Sequence, residues 1–411
     1  MAALSVRIYS QLESIPESAW NSLLTPDDNP LMDWRWLAAL ELSGCAVPET
    51  GWTPCHLTLW RGASLIGAAP AYIKQDSDGD FSRDWDWAAA AMRAQLPYYP
   101  KLVLGVPFTP VTGRRILIAP GEDETAVLAV MLQAAQQLVA QENLGSLHVL
   151  FPTAQQAAQL SAAGLAKRIG FQYHFHNPGY RNSDDFYGRF SSKKRNTLKR
   201  EQAAAAGQGI TIRTVYGDEI AQAPERWADT AHLLHRSTVD KLMWGRRWLN
   251  QAFYRRVFAS MPAAMEVVVA ERAGSLVAGA FNVAAPGRLF GRYWGCLEEH
   301  PFLHFNVCYY HSIGECIARG VRLFEGGAGG EHKIARGFEP SLTYSCHGFS
   351  HPRLDEALRR HIQQEATQRE AALQNWQTET PVLKPLQPRQ PAAPAPASED
   401  DRSKGGQHGQ A

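Results

Sequence analysis

Apolar and polar positions along the chain make two successive passes through one pattern. Residues 5–9 alternate as a short strand, and 16–24 and 31–42 carry helical spacing. Strand-like 56–60 and 65–74 flank Arg61-Gly62-Ala63-Ser64, which predicts a β-hairpin with a glycine-containing turn. Further strand signal lies in LVLGV and RILIA. Helical spacing returns over 122–142, whose acidic first turn suits the helix dipole. Then come the strand LHVLF, a helix AAQLSAAGLAKRIG closed by Gly170, and the strand FQYHFH. Pro178-Gly179 marks a turn.

The second pass has a strand at 210–215, helices at 223–239 and 248–260, and a hairpin of 266–271 and 276–283. A strand at 289–295, a helix at 306–319 and a strand at 322–325 follow. The two hairpins read alike, WRGASLIGAAPAYI against ERAGSLVAGAFNVA. This is an internal duplication of an α/β unit of ordinary domain size. The expected division is 1–178 and 179–352, then a polar helix at 353–377 and a Pro/Ala-rich tail at 378–411. That tail has no apolar periodicity and is expected to be disordered.

Composition changes little. The chain has 411 residues, 45% apolar and 20% charged, with a net charge of +1, so it carries no global signature of nucleic-acid or membrane binding. Its six cysteines contain no C-x-x-C pair, which suits a reducing compartment. The first residues lack a basic region followed by an apolar one, and no run approaches ~18 apolar residues, so a cytoplasmic location without stable membrane insertion is expected.

Three segments carry chemistry. Gly326, Gly327, Gly329 and Gly330 fall within five residues, a density that suits a close ligand approach or an anion-binding nest, the alternative being a flexible bulge. Glu331, His332 and Lys333, with Arg336, place an acid, an imidazole and two cations within six positions. N-acyl transfer needs a base for an amine and an electrostatic clamp for an oxyanion, and these side chains supply both. Arg336 could equally hold an acceptor carboxylate or phosphate. The run SSKKRNTLKR, with Lys193, Arg195 and Lys199, is a basic helix capped by Ser191 or Ser192, suited to phosphates or simply to solvent. His300, His304, Cys308, His311 and Cys316 could share a helix face, but no second ligand cluster accompanies them, so no metal is expected. Asn306, Tyr309, His311 and Trp294 suit a pocket lining better. Trp85 and Trp87 alternate with aspartates and are expected in an exposed loop.

The segment RLFEGGAGGEHKIARGFEPSLTYSCHGF, with HFNVCYYHSIGECIARGV before it, closely resembles the FemAB-like family of GNAT-type proteins named for peptidoglycan biosynthesis or recognition. The resemblance implies tandem duplicated GNAT-like α/β domains, of the acyl-CoA N-acyltransferase fold. It also implies acyl or aminoacyl transfer to an amine, with acyl-CoA or aminoacyl-tRNA as donor. A small molecule or a peptidoglycan precursor would be the acceptor, and tRNA a possible partner. A Gly-rich strand end followed by a lysine, near an acceptor pocket, is a further feature of the Fem-type aminoacyl transferases. The GNAT phosphate-cradling signature is not cleanly present: the first half offers Pro110 to Arg115 and the second Trp294-Gly295-Cys296. The rival readings are a non-catalytic precursor binder and a zinc hydrolase.

Overall fold

The computed structural model describes residues 3–241, 243, 245–379 and 383–384. Both expected hairpins form, Ser64–Ala69 returning on His56–Arg61 and Ser275–Ala285 on Met265–Arg272. Their two-residue turns need left-handed backbone, supplied by Gly62 in one and by Ala273 and Gly274 in the other.

Each half then adds a parallel strand to its meander: Lys101–Leu104 pairs with Ser146–Leu150, and Arg288–Cys296 with Leu323–Glu325. The second parallel pair holds register only from Arg288/Leu323 to Phe290/Glu325. Beyond it the ladder stops, yet the backbones stay close, a Cβ on Gly291 falling 3.6 Å from the Gly326 carbonyl carbon, and the glycine-rich segment starts there. Side-chain caps fix the helix starts. Asp123 accepts from the amides of Thr125 and Ala126 to begin Glu124–Gln141, and Ser191 accepts from the amide of Lys194 to begin Ser192–Gly207.

The result is two tandem GNAT-like lobes whose sheets are fused by strand exchange. Glu339–Phe349, near the end of the chain, inserts between Ser146–Leu150 and Ala166–His176 of the first half. In return, the far end of Ala166–His176 pairs with Leu323–Glu325 of the second. Eleven strands thus form one continuous sheet, and the core containing Trp36, Trp52, Phe253 and Phe281 draws on both halves. Glu325 ties the centre: it accepts from Arg288 Nη2 (2.7 Å) and from the Thr112 amide (3.2 Å) of the first half.

Some expectations are corrected. The helix expected to run to Gly170 ends at Ala162, because residues 166–170 are already extended against 343–347. The helix expected from Asn306 starts at Leu303 and opens into a π turn over Asn306–His311. Trp85 and Trp87 sit on a helix, Trp85–Arg93, where only Trp85 is exposed; Trp87 packs on His347. The long terminal helix is Pro352–Glu379. Within the stretch expected to be disordered, Leu383 is buried and the Lys384 amide donates to the Arg189 carbonyl (2.8 Å); the rest of that tail beyond residue 379 lies outside the described residues. Among the described residues no helix is long and apolar enough to cross a membrane.

Candidate active site

The glycine segment leaves strand Leu323–Glu325 and turns into a 3-10 helix, Glu331–Arg336. That helix is bracketed by Gly330 (φ 89°) and Gly337 (φ 90°), a backbone region that disfavours any other residue. At Gly337 a Cβ would also fall 2.5 Å from the Phe186 ring. The tight turn points Lys333 back under its own loop. Its Nζ donates to the carbonyls of Gly326 (2.7 Å) and Gly327 (2.8 Å), and the residue is only 3% exposed. Burial lowers its pKa to about 8, the Cys308 thiol opposing weakly.

His332 is more open, and its Nε2 lies 2.9 Å from the Tyr309 hydroxyl. Burial first, then the charges of Arg336 and Lys333, lower the His332 pKa, while burial raises that of Tyr309. The lowered pKa favours the free-base imidazole at neutral pH, and its Nδ1–H tautomer would accept the phenol proton at Nε2. Glu331 contributes its backbone to the 3-10 helix; its side chain lies outside the described residues.

Arg336 lies flat on the Phe305 ring, its Cζ 3.3 Å from the centroid, and pairs with Glu201 (Nη2 to Oε2, 2.8 Å). Glu201 also accepts from the Tyr310 hydroxyl, and its carbonyl accepts from Asn306 Nδ2 (2.8 Å). Glu201 belongs to the basic helix, whose first turn brings Lys194 close enough for Arg336 to help burial lower its pKa. The helix thus reaches the site through a carboxylate and Lys194. Lys193 and Lys199 stay exposed, Lys199 facing Asp184 at 3.8 Å, and Arg195 is half-buried.

Sequence-predicted residues therefore divide. Tyr309, His332, Lys333, Arg336 and the glycines come together, with Asn306 holding the wall behind them. Trp294 joins indirectly, packing on His304 (5.0 Å), whose ring is 5.9 Å from His332. His311 is bonded instead to Thr214 Oγ1 (2.8 Å), and Cys316 is in the core. Among the described residues no group of three or more His, Cys, Asp or Glu side chains is placed to hold a metal ion. Glu201 and Phe305 were not singled out from sequence. Glu201 sits alone at the end of a cationic run, and only the fold reveals that it faces Arg336.

Two cavities adjoin the glycine segment and the aromatic cluster. One, of about 90 Å³, has Ala328 and Gly329 in its wall together with Phe81, Arg83 and Arg168. The other, of about 360 Å³, lies beside Trp294, His304, His300 and Lys241, at the start of the helix that begins with Leu303.

A family model described as FemAB-like, peptidoglycan biosynthesis/recognition, matches residues 11–384. Among solved structures, the chain is similar to the C-terminal DUF2156 domain of a protein described as a lysylphosphatidylglycerol synthetase from Agrobacterium fabrum. That match has TM-score 0.52 and 9% identity, and covers 84% of this chain and 95% of the other. FemX matches with TM-score 0.50 and 11% identity, over 84% of this chain and 98% of FemX. L-PGS from Bacillus licheniformis gives TM-score 0.50 and 11% identity, over 84% and 96%. At such identities the likeness is one of fold. No curated protein matches the sequence.

Proposed function

The chain belongs to the FemAB-like family of peptidoglycan biosynthesis and recognition, and from that membership we propose that it transfers an acyl or aminoacyl group to an amine, with a peptidoglycan precursor as the acceptor class. The observation that carries the reading is Lys333, a buried ammonium fixed by two glycine carbonyls with one N–H left over. An ammonium has three donors, and the two spent on Gly326 and Gly327 aim the third.

In the proposed reaction the acceptor amine attacks the carbonyl carbon of an ester or thioester. The C–N bond forms, and negative charge collects on the carbonyl oxygen, where the third N–H of Lys333 stabilises it. The amine proton passes to the Tyr309 oxygen as that hydroxyl gives its own proton to His332 Nε2, 2.9 Å away. Collapse breaks the C–O or C–S bond, and the proton returns to the departing alkoxide or thiolate.

Donor phosphates are assigned to the second lobe. In the first lobe the start of helix Glu124–Gln141 is closed by the chain itself, since the Asp123 carboxylate occupies the amides of Thr125 and Ala126. In the second lobe the equivalent helix start at Leu303 has no side-chain cap and adjoins a cavity lined by Lys241, while Lys193, Arg195 and Lys199 offer further cations near the other end of the basic helix. Acyl-CoA and aminoacyl-tRNA both satisfy that arrangement.

The test is mass-spectrometric detection of the amide product with each donor class and a peptidoglycan-precursor acceptor. Lys333→Ala should lower turnover by roughly 100-fold or more, with the melting transition retained. Equal turnover in that variant rejects the assignment. Stabilisation by precursor alone, with no product from either donor, would make the chain a binder on the same fold.

A further inference from the structure

The loop 79–84 is built to aim two side chains. Phe81 (φ 60°) and Arg83 (φ 52°) both hold left-handed backbone, a conformation disfavoured for side chains with a Cβ. It persists because the residues between and around them are clamped. Buried Lys101 bonds Asp80 Oδ2 (2.8 Å) and Asp84 Oδ2 (2.7 Å), and Asp80 Oδ1 accepts from the Ser82 amide (2.8 Å). Both Phe81 and Arg83 then line the cavity that Ala328 and Gly329 also line.

That cavity is cationic. Arg83, Arg168 and Arg369 line it and no acidic side chain does. The same three arginines border a wider outer basin of about 550 Å³ against the terminal helix, where Asp86 and Glu365 appear. Arg168 is fixed there, donating to Glu365 (2.8 Å from Nε) and to the Ser82 carbonyl (2.8 Å). Arg369 spends Nε and Nη2 on Glu365, leaving Nη1. The Arg83 guanidinium has no hydrogen bond or ion pair among the described residues. One carboxylate thus serves two arginines while a third is held ready by a strained loop.

We propose that this cavity is the subsite for an anionic group of the acceptor, a carboxylate or a phosphate, received by Arg83 and Arg369 beside the fixed Arg168. The inner space suits one terminal anion, and the outer basin takes the body of the molecule. Guanidinium forks match both oxyanions in two-point fashion. The inference rests on the transfer reading for the word acceptor, but anion binding can be measured without turnover.

The experiment is calorimetric titration of the full chain with pyrophosphate, for the phosphate source, and with the dipeptide alanyl-alanine, for the carboxylate source. One of the two should bind saturably. Arg83→Ala should weaken it tenfold or more and Arg83→Glu should abolish it, with Arg369→Ala as a second variant and unchanged melting as the fold control. Lys333→Ala should leave this binding intact, so unchanged turnover in that variant with retained anion binding counts against the transfer reading alone. Failure of both probes to bind the wild-type chain, or wild-type binding in the Arg83 and Arg369 variants, overturns the subsite.

Discussion

Lys333 Nζ stands 2.7 Å from the Gly326 carbonyl oxygen, so the cation that the sequence places seven residues downstream returns to the mouth of its own loop. Its pKa of about 8 makes two pH effects follow. As an oxyanion donor it must be protonated, so kcat/KM should fall as pH rises through about 8. The limb should be displaced or lost in Lys333→Arg.

The same shift is a statement about stability. The folded pKa lies below the ordinary lysine value of 10.5, so between pH 8 and 10.5 the unfolded chain binds the extra proton and stability rises with pH. Below pH 8 the buried charge opposes folding by about 3 kcal/mol. The melting temperature of the wild type minus that of Lys333→Met should therefore increase across this window. A flat difference would mean the amine is solvated.

Glu201→Gln should destabilise the chain by about 3 kcal/mol, because Arg336 would keep its buried charge without a partner. Urea denaturation measures this. Arg336→Met should cost markedly less in the Glu201→Gln background than in the wild type, since the pair is then removed as a unit.

What the sequence made legible was whatever is local. Hairpin turns at Gly62 and Gly274, the Ser191 cap and the glycine run before Lys333 follow from neighbouring residues, and the fold bears them out. Residues 166–170 show the limit: their spacing continues a helix, and only pairing with 343–347, nearly two hundred positions away, makes them a strand. Glu201 was missed for the same reason, since its meeting with Asn306 depends on how two helices pack. His311 read as a pocket residue from its spacing, but the π turn it closes leaves it bonded to Thr214.

Lys193, Arg195 and Lys199 lie on the exposed or half-buried face of a capped helix and give the donor question a salt test. If tRNA is the donor, its affinity should fall log-linearly with salt. Replacing Lys193 or Lys199 by Gln should flatten that slope by roughly 0.7–0.9 each, without preference for sequence. Absence of tRNA binding, with stabilisation by acyl-CoA, assigns the thioester instead.

The exchanged strands make the halves interdependent. A chain ending at residue 178 would lack Glu339–Phe349, leaving Ser146–Leu150 and Ala166–His176 facing an empty strand position with unpaired amides and carbonyls on both sides. It would also expose the face of Trp36 that packs edge-on against Phe253 at 5.0 Å. Such a fragment should be aggregated or lack a cooperative melting transition. Fusing residues 339–349 to it through a flexible linker should restore sheet content by circular dichroism, though less stability than the full chain, because the Trp36–Phe253 contact stays absent. A fragment 1–178 that melts cooperatively on its own would show that the strand is an accessory and not a member of the first lobe.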